Sequence, residues 1–471
     1  MSHSGDLSGS AGSNQSQLSR GQIALRLSGV TVSATIIAFD ATIISTILPG
    51  VAKSLNGMGL YSWAAAAYFL AVSITTLAFG RLSDLFGRKS LMLAALLVVS
   101  AGSIIGGLAP NMDVLIMGRI VQGVGGGMLI GSAFAAPADL LPDPKVRVQW
   151  LALLSGTYAA ASGVGPALGG FLTEAFGWRT AFFIIPVTAC LAAPLLWLFY
   201  PARHRRMGRG LQMDWLGLIL LLYALGMPLL AFEQFARPDS TWPDWLEWSL
   251  ILSGGLAGVL LWKFEKTKQT PIFPVHILQT RSARLLNLSS MLGGAVMFSL
   301  IYYMPLLFQS SFKLSPSTAG LLVIPIVAGA PVGSMINGQL FRYFERPQYI
   351  MVAGALILAC GCALLSTVTA DTPLTRVALL MSLCGLGLGF LLSNYNLLMQ
   401  MVVDHAEVGV GTALIQTTRA FGSAIGTTLV GLAVAHSSVF TGVRFSLIGC
   451  VVLCGITAYL TLNIRVPKAS G

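Results

Sequence analysis

From residue 24 onward the chain is a succession of apolar runs, each closed by glycine, proline or a few charges. The runs fall at 24–49, 60–80, 90–109, 112–140, 148–172, 179–200, 214–233, 246–264, 284–310, 318–341, 348–369, 373–400, 408–435 and 441–463. A helix needs about 20 apolar residues to cross a bilayer, and these runs have that length. The pattern therefore predicts fourteen membrane-spanning helices and an all-α fold. The pair 214–233 and 246–264 could also lie in the interface, but its apolar length favours crossing.

Composition agrees. Of the 471 residues, 55% are hydrophobic and 10% charged, against about 25% charged in soluble domains. Net charge is +11, but the positive residues sit in short clusters between runs, which argues for a lipid bilayer as partner and against nucleic acid. Twenty of the 28 lysines and arginines fall on the side that carries both termini, and six on the other. By the positive-inside rule both termini are expected to be cytoplasmic, and the cytoplasmic (inner) membrane is the expected location. Residues 1–21 are a Ser/Gly/Gln tail without an apolar core, expected to be disordered and not a cleaved signal. The six cysteines lie in apolar runs without metal-ligand spacing and read as packing residues, so no metal or cofactor is expected.

The segment from Gly80, "GRLSDLFGRKSLMLAAL", resembles the one from Gly338, "GQLFRYFERPQYIMVAGAL". Gly80 matches Gly338, Leu82 Leu340, Phe86 Phe344 and Arg88 Arg346. Each follows the second run of its half. A duplicated bundle explains this. The expected organisation is a tail at 1–21, a six-helix bundle at 22–202, a linker with two inserted helices at 203–280, a second six-helix bundle at 281–465 and a tail at 466–471. The insertion is expected to be dispensable for transport, with Glu233 read as interface or loop chemistry.

Several motifs carry chemistry. In "GRLSDLFGRKS" (80–90), Gly80 and Gly87 permit a tight turn, and Arg81, Asp84, Arg88 and Lys89 can pair with one another or with helix ends. The glycines of "GTYAAASGVGPALGG" (156–170) allow close helix approach, and Pro166 removes a backbone bond. "GVGGG" (123–127) and "GLGLG" (385–389) lie inside apolar runs with no strand before and no Lys-Ser/Thr after, so no nucleotide is expected. One acid, Asp40 in "AFDATIISTILPG" (38–50), lies deep in a run, where an unpaired carboxylate costs several kcal/mol.

These segments resemble the major facilitator superfamily: 80–90 its signature loop between the second and third helices, "RIVQGVGGG" from Arg119 its helix-4 motif, and 156–170 the helix-5 motif of its antiporters. "FDATIISTILP" (39–49) and "TTRAFGSAIGT" (417–427) resemble helices 1 and 11 of its fourteen-span drug:proton antiporters. In the second copy Arg342 and Pro347 replace the loop aspartate and lysine, so that copy is a degenerate one. The resemblance implies two pseudo-symmetric six-helix bundles, with two additional helices between them. It implies gating roles for Gly80, Arg81, Asp84, Gly87, Arg88, Lys89, Gly163, Gly165, Pro166, Gly169, Gly170 and Arg419.

Asp40 is about 13 Å below the far membrane surface and Arg119 about 10 Å. Helices 1 and 4 line the central cavity in the resembled family, so Asp40 with Arg119 is the expected proton-coupling pair. Burial disfavours the charged carboxylate and a guanidinium favours it. A permanent ion pair, or bonds to Thr42 and Ser45 alone, are the alternatives. Gln122, Tyr158, Tyr303, Asn394, Tyr395 and Asn396 are the expected substrate-binding residues. Arg419 could bond carbonyls or Gln416. The implied function is proton-coupled antiport of small amphipathic molecules such as drugs, dyes or quaternary ammonium ions, by a monomer whose partners are substrate, protons and lipid. The alternative is a symporter or facilitator for one metabolite. Catalytic spacing is absent, which argues against an enzyme.

Overall fold

The computed structural model describes residues 20–141, 144–201, 214–235, 242–268, 271–340, 343, 346, 348–404 and 407–465. The two tails and most of the links around the inserted pair lie outside these residues.

Among the described residues the regular elements are helical. The first half contains α1 (Arg20–Ser54), α2 (Tyr61–Phe86), α3 (Arg88–Gly107), α4 (Met112–Ala133), the short α5 (Ala136–Leu140), α6 (Pro144–Phe176) and α7 (Trp178–Phe199). The inserted pair is α8 (Trp215–Phe235) and α9 (Asp244–Lys266). The second half contains the short α10 (Val275–Gln279), then α11 (Arg281–Ser310), α12 (Pro316–Leu340), α13 (Gln348–Leu365), α14 (Leu374–Val402), α15 (Val408–Ala435) and α16 (Val439–Leu462). Among the described residues thirteen helices, rather than the expected fourteen, are long and apolar enough to cross a membrane. The other long helix, α6, has 33 residues and carries the expected 148–172 run. The chain is thus an all-α, multi-pass membrane protein.

Two boundaries differ from expectation for reasons of backbone chemistry. The run 112–140 is split at Ala133, because Pro137 lacks an N–H and its ring opposes the carbonyl four residues earlier. By contrast α1 continues through Pro49 to Ser54. There Gln309 of α11 donates to the Thr46 carbonyl at 2.8 Å, which serves the backbone beside the proline. Gly87 (φ 87°) and Gly177 (φ 85°) join α2 to α3 and α6 to α7 as single-residue turns. That backbone region strains any residue with a Cβ.

The two halves repeat each other's packing. Helix α2 packs on α4 as α12 packs on α14; α3 packs on α4 and α7 as α13 packs on α14 and α16. Helix α1 lies on α6 and α7 as α11 lies on α15 and α16. The glycine runs make this possible. A methyl group at Gly123 would lie 2.5 Å from the Tyr68 carbonyl, and one at Gly125 2.7 Å from the Val99 nitrogen. Their counterparts Gly385 and Gly387 meet the Gly329 Cα at 2.9 Å and the Leu358 nitrogen at 2.7 Å. Both runs therefore serve helix packing. The repeat extends to the turns, since Asn56 (φ 50°) and Lys313 (φ 58°) close the first helix of each half.

The halves meet along α2–α15, α6–α12 and α1–α11. At the face opposite the termini, Tyr61 donates to the Tyr302 carbonyl at 2.8 Å, Tyr302 to the Ala41 carbonyl at 2.9 Å, and the Ser317 N–H to Glu174 Oε2 at 3.3 Å. Nearer mid-helix, Ser73 donates to the Thr417 carbonyl at 3.1 Å. Gly170 and Gly320 press α6 and α12 together at the same opposite end, whereas Gly156 and Gly338, toward the terminal face, have no atom within 4 Å of an added methyl. These contacts join the two halves toward the opposite face.

Gly123→Ala should destabilise the protein by about 1–3 kcal/mol, because the added methyl meets backbone that cannot turn aside. Gly156→Ala meets open space and should leave the melting temperature unchanged or slightly raised. Thermal unfolding in detergent checks both, and equal losses would contradict the packing role of the Gly123 run.

Candidate functional site

Asp40 of α1, Ser103 of α3, and Arg119 and Gln122 of α4 are all buried. Gly102 of α3 and Gly118 of α4 bring those two helices into backbone contact beside Gln122. Gln122 joins the group. Its Nε2 donates to Asp40 Oδ1 at 2.8 Å and to Ser103 Oγ at 3.1 Å. Its Oε1 accepts from Arg119 Nη1 at 3.0 Å. The same Nη1 reaches Asp40 Oδ1 at 3.4 Å. A charge-assisted N–H···O bond is usually about 2.7–2.9 Å, so the amide–carboxylate bond is the tight one and the ion pair the loose one.

Arg119 is held from other sides as well. Its Nε donates to the Ala64 carbonyl at 3.4 Å, and its guanidinium carbon lies 4.0 Å from the centre of the Tyr68 ring. A cation stacked on an aromatic face away from water gains about 2 kcal/mol. Its Nη2 is buried with no hydrogen bond among the described residues. Thr42 and Ser45 return their hydroxyls to backbone carbonyls of α1, Ala38 at 3.0 Å and Thr42 at 2.7 Å.

Tyr158 of α6 packs on Phe134, with ring centres 5.9 Å apart. Arg419 of α15 packs against Gly294 of α11. Between the halves, Phe69 packs on Phe298 with ring centres 4.2 Å apart, and Tyr302 lies 5.8 Å from Phe69. Aromatic rings from both halves therefore meet at the seam between the bundles.

Residues 30–427 match the Major Facilitator Superfamily. This chain is a member of that superfamily. It is 28% identical over 408 residues to "Multidrug transporter protein MdtP" of Bacillus subtilis (strain 168), covering 86% of this chain and 74% of the relative. It is 30% identical over 406 residues to "Efflux pump aflT" of Aspergillus parasiticus, covering 83% and 78%. Among solved structures it resembles a D-xylose-proton symporter, with TM-score 0.68 and 15% identity over 95% of this chain and 99% of that one. It also resembles a bacterial homologue of the human lysosomal transporter Spinster, inward-facing and unoccupied, with TM-score 0.65 and 16% identity over 96% and 100%. At those identities the structural likeness is one of fold. Membership and fold make the chain a membrane transporter rather than an enzyme.

The site residues expected from the sequence fare differently. Asp40 and Arg119 are brought together. Gln122, expected to meet substrate, instead has its amide committed to Asp40, Arg119 and Ser103. Tyr303, Asn394 and Tyr395 are buried with their polar groups bonded inside the second half. Tyr303 donates to the Thr427 carbonyl at 2.7 Å, Tyr395 to the Ser289 carbonyl at 2.8 Å, and Asn394 to Asn337 Oδ1 at 2.7 Å. Asn396 is half-buried, and its Oδ1 has no hydrogen bond among the described residues. The Gln416 Oε1 is also without one, so the Arg419–Gln416 bond is not formed.

The 80–90 segment is not a loop but the end of α2 and the start of α3, with Gly80 inside α2 and the turn at Gly87 alone; there Arg88 donates to Ser83 Oγ at 3.2 Å, and Lys89 donates to the Trp197 carbonyl at 2.6 Å. The side chains of Arg81 and Asp84 lie outside the described ones. In α6, Gly165 and Gly169 face α1, Gly163 faces Val327 of α12, and the Pro166 carbonyl accepts from Thr46 at 2.8 Å. One expectation is overturned: Glu233 is 1% exposed and lies between helices, not in a loop.

Asp40→Asn and Arg119→Gln should be coupled. Thermal unfolding of both single variants and the double variant should give an interaction energy of about 0.5–3 kcal/mol, the double being more stable than the sum of the singles predicts. Losses that add would show that the loose contact carries no energy.

Proposed function

We propose that this transporter is a proton-coupled antiporter that exports small amphipathic compounds, such as drugs, dyes or quaternary ammonium ions. It works by alternating access across the cytoplasmic membrane, with both termini cytoplasmic. The observation that carries this reading is the buried carboxyl group of Asp40, bonded tightly to an amide and loosely to a guanidinium. Relatives named as efflux and multidrug transporters support the direction and the substrate class. The positive-inside count supports the orientation.

In this reading Asp40 exchanges a proton for substrate as the bundles rock. Both described bonds reach Oδ1, so the proton goes to Oδ2. Neutralising Asp40 costs Arg119 its counter-charge but not its position. The guanidinium keeps the Gln122 oxygen, the Ala64 carbonyl and the Tyr68 ring. The carboxyl group can thus change charge while the cluster keeps its shape. The Tyr and Phe rings at the seam offer apolar faces to a lipophilic guest. Tyr158 and Arg419 offer polar contacts, and Asn396 Oδ1 and Gln416 Oε1 are further acceptors without a hydrogen bond among the described residues.

Asp40→Asn keeps an oxygen that can accept from Gln122 but cannot cycle a proton. Export of a fluorescent cationic dye into acid-interior inverted vesicles should fall to the level of vesicles without the protein, while dye binding to the purified variant stays within a few-fold of wild type. Export by the folded variant at the wild-type rate would remove Asp40 from coupling.

A further inference from the structure

Helix α8 is mostly lipid-facing, with Leu216, Ile219 and Leu222 at least half exposed. Its one buried acid breaks that pattern. Glu233 lies near the end of α8 at the face opposite the termini. Its Oε2 accepts from Ser62 Oγ at 3.0 Å, and its Oε1 accepts from Thr428 Oγ1 at 3.2 Å. Ser62 belongs to α2 of the first half and Thr428 to α15 of the second. One carboxyl group therefore spans the seam between the bundles.

The surroundings are closely packed. A methyl at Gly431 of α15 would lie 2.6 Å from Ser62 Oγ and 2.9 Å from the Tyr303 hydroxyl. The Tyr61 and Tyr303 ring centres are 5.4 Å apart. Any motion that opens the opposite face must part α2 from α15 here. Whichever half α8 follows, one of the two hydroxyls then leaves Glu233. A buried polar group that loses its partner away from water is costly, so this bridge favours the closed seam.

We propose that Glu233 is a positioning residue that holds the opposite-face seam closed, and that through it the inserted helix α8 belongs to the moving machinery of transport. The proposal rests on the alternating-access reading above. It assigns a purpose to an insertion that the duplicated bundle does not require.

Spin labels at Met58→Cys and His436→Cys, with the exposed Cys190 and Cys360 changed to Ser, place one probe on each side of the seam. Distances are read by pulsed electron paramagnetic resonance in lipid, without substrate or gradient. The otherwise wild-type protein should show one dominant short distance. Glu233→Ala should raise the long-distance population at least fivefold. Glu233→Gln, which can still bond both hydroxyls, should keep the short distance dominant.

If Glu233→Ala does not fold, Ser62→Ala and Thr428→Val leave the acid in place and should each raise the long-distance population at least twofold. A wild-type distribution in folded Glu233→Ala would overturn the proposal, as would a shift in Glu233→Gln as large as that in Glu233→Ala. So would unchanged distances in both hydroxyl variants. Because no transport is measured, a protein that exports nothing can still pass this test, and an exporter can still fail it.

Discussion

Inside hydrocarbon every polar group must find its partner within the protein, because there is no water to serve it. That constraint organises this structure from end to end. Tyr61, Tyr302, Tyr303 and Tyr395 each spend their hydroxyl on a backbone carbonyl of another helix. Two of those bonds cross between the halves, so the same rule that satisfies a hydroxyl also ties the bundles together. The acids obey it through neighbouring side chains, Asp40 through Gln122 and Arg119, Glu233 through Ser62 and Thr428.

Such partnerships need helices that approach closely, and glycine supplies the approach. The α4 and α14 runs press on equivalent helices in the two halves. Aligning the runs sets Arg119 against Met381 and Gln122 against Cys384, all four fully buried. The duplicated scaffold is therefore the same in backbone and different in polarity. Only the first copy carries the guanidinium and amide that receive a deep carboxylate. The second copy contributes rings and Arg419. A near-symmetric pair of bundles thus carries an asymmetric set of polar groups.

The seam also relates the two buried acids. Asp40 sits on the wall of the first half, with bonds confined to that half. Glu233 sits at the opposite-face end, with bonds to both halves. A group bonded within one rigid body can change charge without resisting motion, whereas a group bonded across two bodies resists their separation. In the proposed reading the two carboxyl groups therefore have different work, although both are nearly inaccessible.

The sequence by itself determined the all-helical, multi-pass architecture and the close approach at the glycine runs. It did so because apolar length, glycine spacing and the depth of a charge are properties of a linear chain. It also placed Asp40 and Arg119 at similar depths, since rise per residue is constant. Only the tertiary structure decided which way each helix is turned. A helix that is apolar all round has no polar stripe to mark its buried face, so nothing in "LLAFEQF" tells whether Glu233 points to lipid, loop or seam. Its one legible signal was the presence of an acid inside a hydrophobic run. Rotation likewise turned Gln122 onto Asp40 and committed Asn394 and Tyr395 to partners within their own half. Those contacts depend on helices far apart in the chain, and no spacing along one run encodes them.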